Sequence, residues 1–471
     1  MHPVVQETID YLSQRIPYVG GVVYSFRGDE ELERSCFGYQ DPEAGIPVNE
    51  ETIFQIASMS KSFCTTLTST LVDEGLLDWD APVKKYWPEY FAYDPYVTEH
   101  MTLTDLASHR SGICSHNKQR CNQTREQAMD LKSVSEQVRY LQPCFDFRSR
   151  FAYQNDMFNI LGYLCERVTG KSYAELLQER LAKPIGMEIH IRNIIDEEEK
   201  RYAIGYEVGK DLSLERVDVH KVNPGSVCSG GIMTNLKGII KWIRFLSAGF
   251  VTEDGKRLLS KETAEKMIHP LIFRSNPAYP NQYMLYSLGL SPSVYRGEKH
   301  VYHGGVLKGF RSSMGYFPEL NSGYVVMINS SSQPYSILKK VLCDIALDKV
   351  QPDYHRECDA NIKSFLTPFD GEKVLFPKQE MGAGDPEKYK FDGTFENGFY
   401  GEMKFHYEGD NKLRITYGRD PDEFAYYRGN GIFQSCVHPS YKLDVRYAEG
   451  GKSLVYSKCE FFSPDPFTRK E

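Results

Sequence analysis

Tryptophan is scarce in this chain, 3 among 471 residues, and long apolar runs are missing. No stretch approaches the roughly eighteen consecutive apolar residues of a membrane-spanning helix, so no membrane partner is expected. The amino terminus, MHPVVQETIDYLSQRI, carries acids and lacks a basic segment leading into an apolar one, which argues against a secretory signal. Basic runs are absent too. The 56 Lys and Arg against 64 Asp and Glu leave a formal charge of -8, with no face that would displace counterions from a duplex. Nucleic acid is therefore not an expected partner. The 11 cysteines form no C-x-x-C pair and no regular spacing, so they read as reduced, mostly core-filling thiols of a cytoplasmic protein.

Patterns that would name a chemistry are missing as well. Without a G-x-S-x-G elbow there is no α/β-hydrolase nucleophile. Without H-E-x-x-H or paired Cys/His spacing no metal is expected, and without G-x-G-x-x-G after a strand no dinucleotide cofactor is. Gly170-Lys171-Ser172 resembles the end of a phosphate-binding loop, but Cys165 stands where the first glycine belongs. No cofactor is expected at all.

What is present is a globular composition, 41% hydrophobic and 25% charged, over a length that asks for more than one domain. Residues 19–27 and 32–39 alternate as a hairpin around Gly28-Asp29. Met59, Phe63, Leu67 and Leu71 recur every four positions and mark an amphipathic helix; 157–168 and 236–246 read as two more. Residues 323–329 (GYVVMIN) form a continuous apolar strand, and 335–350 a closing helix. Strands at both ends with helices between them predict an α/β (α+β) domain whose antiparallel sheet is completed by both termini. After Val350 the composition shifts. Residues 378–390 are polar with Gly and Pro, and five short alternating strands follow at 401–407, 412–417, 424–428, 441–447 and 454–461. The chain thus divides into a catalytic domain over 1–350, a linker over 351–385 and a small all-β barrel or sandwich over 386–471.

Chemistry concentrates at Ser58-Met59-Ser60-Lys61, at the start of the first long helix. A serine at a helix amino end meets backbone N–H groups and the positive end of the helix dipole, which favour an oxyanion nearby. Lys61 falls on the same helical face, and burial would lower its pKa enough to make it a base. The tetrad alone means little, since S-x-x-K recurs at Ser115–Lys118 and at Ser336–Lys339. Tyr153-Gln154-Asn155 and His303-Gly304-Gly305 supply context: a phenol to relay protons, an amide to orient Lys61 or substrate, and a glycine strand that a substrate can approach. Tyr279-Pro280-Asn281 also fits Y-x-N, so order and flanks carry the argument rather than any single match.

With those flanks (FQIASMSKSF, LVDEGLLDWDAPVKKYWPEY, MTLTDLASHRSGI, FAYQNDMFNILGYLCERVTGKSY and YHGGVLKGFRSSMGYFPE) the sequence resembles the serine β-lactamase and penicillin-binding-protein superfamily. The likeness is to the branch of class C β-lactamases, carboxylesterases, D-aminopeptidases and acyltransferases. The resemblance implies a β-lactamase/transpeptidase-like fold with an all-helical subdomain. It makes Ser58 the acylated nucleophile, gives base and proton-shuttle work to Lys61 and Tyr153, and has Asn155 hold Lys61 or the substrate amide. It places His303 where the family's K-T-G motif has lysine, and the N–H groups of Ser58 and Val306 in the oxyanion hole. Segment 226–246 resembles the family's glycine turn and following helix. His109 and residues 78–87 receive structural roles, holding a loop and capping or packing. YKFDGTFENGFYGEMKF resembles the lipocalin-like β domain that follows many esterase-type members.

The departure from the family pattern is H-G-G for K-T-G. It removes a fixed charge and a hydroxyl that bind carboxylates, leaving neutral His303 able at most to donate a hydrogen bond, with Lys308 and Arg311 as nearby replacements for the charge. The resulting expectation is a serine hydrolase acting on a small-molecule ester, amide or thioester through acyl-Ser58. The alternative is an acyltransferase using the same intermediate; D-aminopeptidase, β-lactamase or a non-catalytic scaffold rank lower.

Overall fold

The structure, a computed structural model, describes the chain apart from residues 114–129, 142, 144, 192–198, 210, 218–225, 275–283, 333, 352, 367–391, 398–400, 410–411, 417–422, 430–431, 439–440, 448–452, 458–466 and 470–471. The 378–390 stretch, Ser115–Lys118 and Tyr279–Asn281 lie outside the described residues.

The first domain opens with helix α1 (Pro3–Ser13) and the hairpin β1 (Gly20–Arg27) and β2 (Glu30–Asp41), which turns at Gly28 as the alternation predicts; β3 (Ile46–Pro47) follows. Helices α2 (Ser60–Asp73), α3 (Asp156–Thr169) and α4 (Leu236–Ser247) form the middle. Strands β4 (Ser291–Tyr295), β5 (Glu298–Leu307), β6 (Phe310–Phe317) and β7 (Ser322–Ile328) then lead into α5 (Pro334–Leu347) and α6 (His355–Leu366). The main sheet runs β4-β5-β6-β7-β1-β2-β3, every pair antiparallel, with Gly21 opposite Ile328. Both ends of this domain thus meet at the centre of the sheet.

Side chains alternate across β1 and β7. Val22, Tyr24, Phe26, Val325 and Met327 join the core beneath α2, α3 and α4. Val23, Tyr324, Val326 and Ile328 join a second core beneath α1, α5 and α6. With both faces buried, the two strands read as unbroken apolar runs rather than as strict alternation. The result is the β-lactamase/transpeptidase-like arrangement of a helix-flanked antiparallel sheet with a helical region between α2 and α4.

Three features differ from the sequence reading. Residues 355–366, assigned to the linker, form α6, whose Cys358 and Ile362 are buried in the second core with Tyr354 just before it. Helix α2 is buried all round from Ser60 to Leu71, and several of its hydroxyls bond back to the helix, as Thr65 does to the Lys61 carbonyl (3.1 Å) and Thr68 to Cys64 (2.9 Å). Helix α1 was not foreseen, although Val5, Ile9 and Leu12 line its buried face.

Beyond α6, eight antiparallel strands close into a barrel: β8 (Gly393–Asn397), β9 (Gly401–Gly409), β10 (Lys412–Thr416), β11 (Glu423–Gly429), β12 (Ile432–His438), β13 (Tyr441–Tyr447), β14 (Ser453–Ser457) and β15 (Phe467–Arg469). Alternate residues Phe395, Met403, Phe405, Leu413 and Ile415 are buried, the period of two that a barrel wall requires. Among the described residues, no helix is long and apolar enough to cross a membrane. Cys36 is a half-buried free thiol, and Cys64, Cys165, Cys228, Cys343 and Cys358 are buried ones.

Candidate active site

Ser58 lies in a single 3-10 turn, Ala57–Met59, immediately ahead of α2. The turn is strained: Ala57 has φ +48°, a left-handed conformation that costs a residue with a side chain about 1–3 kcal/mol. Three neighbouring segments hold it. The Ser312 hydroxyl on β6 donates to the Ile56 carbonyl (2.9 Å), and the Ile56 N–H donates to Ile232 (3.2 Å). Gly305 on β5 lies so close that a Cβ there would stand 2.3 Å from the Ile56 carbonyl oxygen and 3.1 Å from the Ala57 Cβ. The close approach expected of the glycine strand is therefore made by the turn that carries Ser58.

Lys61, the second residue of α2, is 0% exposed. Its Nζ lies 3.2 Å from Ser58 Oγ and donates to the Ser229 carbonyl at 2.7 Å, with the rings of Tyr153 and Phe158 at 4.8 and 5.3 Å. Burial drives the Lys61 amine well below its ordinary pKa, only partly opposed by acidic neighbours that include Asp156. Gly289 closes the space behind it, since a Cβ there would sit 2.9 Å from the Lys61 carbonyl. The Tyr153 hydroxyl donates to Ser58 Oγ at 2.9 Å, and burial pushes its pKa up to about 12, so the phenol carries its proton at neutral pH. A desolvated amine and a protonated phenol thus converge on one half-buried serine oxygen, a geometry suited to nucleophilic attack with proton transfer.

Asn155 stands at the amino end of α3, two residues from Tyr153, and the Ser229 carbonyl accepts from Lys61 Nζ. Ser229 belongs to the turn Val227–Gly230 within the predicted 226–246 segment; its contribution is a backbone carbonyl, which no residue pattern announces. His303 is 4% exposed and uses both ring nitrogens. Nδ1 lies 2.7 Å from the Gly304 carbonyl, which can only accept, so Nδ1 carries the proton and Nε2 accepts from the Tyr286 hydroxyl at 3.0 Å. Burial, reinforced by the charge of Lys61, lowers its pKa to about 3. His303 is a neutral brace whose donor is already engaged, which corrects the expectation that it offers a hydrogen bond to substrate. The proposed charge replacements also differ from expectation: Arg311 donates to the carbonyls of Leu307 and Phe310, and Lys308 is exposed in the β5–β6 turn. Val306, 63% exposed, follows Gly305 on the same strand. Arg274 was not singled out from sequence. Its guanidinium sits 5.4 Å from the Phe151 ring, and its charge contributes to keeping His303 and His109 neutral.

The loop-holding role expected of His109 has a specific form. Its carbonyl accepts from Ala152 N–H (2.8 Å) and its Nδ1 from Gln154 N–H (3.1 Å). Asp105, fully buried, anchors the same loop by accepting from Arg110 (2.6 Å) and Arg148 (2.7 Å). In the 78–87 segment, Trp79 and Trp87 are buried and Asp78 accepts from the Asp80 N–H. Ser336 and Lys339 lie on α5, in the layer on the opposite face of the sheet from α2, where Lys339 stacks on Tyr302 at 4.2 Å. Among the described residues, no cluster of His, Cys, Asp and Glu could hold a metal.

The family model described as Beta-lactamase matches residues 5–340. An unguisins hydrolase of Aspergillus campestris is 27% identical over 320 residues, covering 65% of this chain and 58% of that protein. A D-aminopeptidase of Gluconobacter oxydans is 26% identical, covering 70% of this chain and 59% of that protein. The chain therefore spans somewhat under two thirds of either relative's length. Among solved structures, the octameric penicillin-binding protein homologue from Pyrococcus abyssi superposes with a TM-score of 0.61 at 22% identity, covering 99% of both chains, a likeness of fold.

Proposed function

The chain belongs to the beta-lactamase family, a family of serine hydrolases, and from that premise we propose that it cleaves an amide bond in a small peptide-like molecule through an acyl-Ser58 intermediate. The observation that carries this reading is the convergence of Lys61 Nζ and Tyr153 OH on Ser58 Oγ, at 3.2 and 2.9 Å. Lys61, as a neutral amine, takes the Ser58 proton while Oγ attacks the carbonyl carbon. The Ser58 and Val306 N–H groups stabilise the oxyanion; losing one such donor costs about 10²–10³ in rate. Tyr153 then passes its proton to the departing nitrogen and regains one from the Lys61 ammonium. Water hydrolyses the acyl-serine by the reverse relay.

Amides are favoured because the D-aminopeptidase relative described above carries a name that fits amide cleavage. An uncharged group is favoured at the acyl site because His303 supplies no charge there. A fluorophosphonate probe should label the wild-type protein and spare Ser58→Ala; equal labelling would remove Ser58 from the reaction. A panel of D- and L-amino-acid amides, simple esters and a chromogenic β-lactam should then show the amides turned over fastest. Turnover of esters alone would replace amidase with esterase.

A further inference from the structure

Tyr153 is delivered to Ser58 by an irregular segment, residues 151–155, between the Asp146–Arg150 loop and α3. A phenol on irregular backbone needs something to fix it, since displacing a reacting group by about 1 Å costs on the order of 10²-fold in rate. His109 grips this segment on either side of the tyrosine: its carbonyl takes the Ala152 N–H at 2.8 Å and its imidazole Nδ1 takes the Gln154 N–H at 3.1 Å. Its ring lies 4.2 Å from the Tyr153 ring at a 36° tilt, with Phe151, Phe158 and Tyr286 also around it at 4.8–5.4 Å.

Two further facts set His109 apart from an ordinary packed side chain. It is 0% exposed, yet its Nε2 has no hydrogen-bond partner, a deficit that costs stability. Its backbone is left-handed at φ +59°, a conformation that few residue types other than Gly, Asn, Asp and His adopt readily. A residue chosen only to fill this space would carry neither burden. What the position demands is a short, neutral acceptor on left-handed backbone.

We propose that His109 is a positioning residue for the acylation step: its carbonyl and Nδ1 clamp Ala152 and Gln154, and so hold the Tyr153 hydroxyl against Ser58. The proposal rests on the hydrolase reading above and assigns His109 no contact with substrate.

The test compares His109→Asn and His109→Gly in the full-length protein. Both residues fit left-handed backbone, but only Asn can place an acceptor where Nδ1 stands. Measured with the best amide from the panel, the Gly variant should lose about 10- to 100-fold in kcat with KM changed less than about twofold. The Asn variant should recover most of that loss. Hydrogen exchange at the Gln154 amide should accelerate in the Gly variant and stay slow in the Asn variant. A Gly variant within threefold of wild-type kcat, or an Asn variant as slow as the Gly variant while its Gln154 amide remains protected, would overturn the proposal. If the wild type is not labelled at Ser58 the hydrolase reading fails instead, and the exchange measurement still tests the clamp.

Discussion

Replacing Gly305 by alanine isolates the role of the strand that braces the nucleophile. The new methyl would stand 2.2 Å from the Ser312 hydroxyl and 2.3 Å from the Ile56 carbonyl oxygen. The hydroxyl can rotate away, but the carbonyl is backbone, fixed by its bonds to the strained turn at Ala57. Ordinary contact begins near 3.4 Å, so β5 and the turn must separate by about 1 Å. Overpacking of this kind costs about 1–3 kcal/mol. The same 1 Å moves the Val306 N–H relative to Ser58, and the expected loss in kcat/KM is on the order of 10²-fold. Gly304 provides the internal control, because a methyl there meets nothing nearer than the Ser312 carbonyl at 3.6 Å. The assay pairs thermal unfolding with the rate of fluorophosphonate labelling at Ser58. Gly305→Ala should be less stable and label slowly; Gly304→Ala should match the wild type in melting temperature and keep most of its labelling rate. Wild-type labelling in Gly305→Ala, or equal damage from both substitutions, would refute the idea that close packing of β5 sets the site geometry.

Other consequences follow from the same contacts. Tyr153→Phe should lower kcat by about 10²–10⁴ while leaving the melting temperature within a few degrees, as expected for a lost proton relay. Lys61 must be neutral to act as a base, and burial lowers its pKa, so kcat/KM should rise with pH through a value well under that of free lysine. Lys61→Arg, protonated throughout, should be inactive at every pH tested. Burial raises the Asp105 carboxyl, but hydrogen bonds from Arg148 and Thr102 and the charge of Arg110 outweigh it, and its pKa ends lowered. Its contribution to stability is therefore complete above about pH 4 and lost as pH falls toward the lower folded value. Asp105→Asn should cost about 3–5 kcal/mol in denaturant titrations at pH 7 and flatten that acid limb.

The sequence made some of this legible and hid the rest for physical reasons. Amphipathic spacing marked α2, α3 and α4 because each presents an apolar stripe, and the β1–β2 hairpin declared itself through Gly28-Asp29. Ser58 and Tyr153 are 95 positions apart, and only the order and flanks of their motifs joined them before their 2.9 Å contact was known. The left-handed Ala57 could not be foreseen, since alanine carries no sign of positive φ. Nor could the Ser229 carbonyl that holds Lys61, because every residue has one. Helix α6 was legible and overlooked: Tyr354, Cys358 and Ile362 recur at four-residue intervals inside what read as a polar connector. In the barrel, the three-residue β15 leaves too few alternations to count, whereas β8 and β12 are as long as strands that the pattern did mark.

The pairing of β1 with β7 has a consequence for biosynthesis. Gly21 finds Ile328 only after the intervening residues have been made, roughly 15–60 s at the usual pace of about 5–20 residues per second. Until then the nascent chain carries β1 with one edge open and α2 without its roof of sheet. Release of β7 from the ribosome is thus the moment at which the sheet can close, and chaperone dependence should be concentrated before it. Fragments ending short of residue 322 should remain bound to chaperones or aggregate, whereas those that include β7 and α5 have the complete sheet and both of the helical layers that cover it.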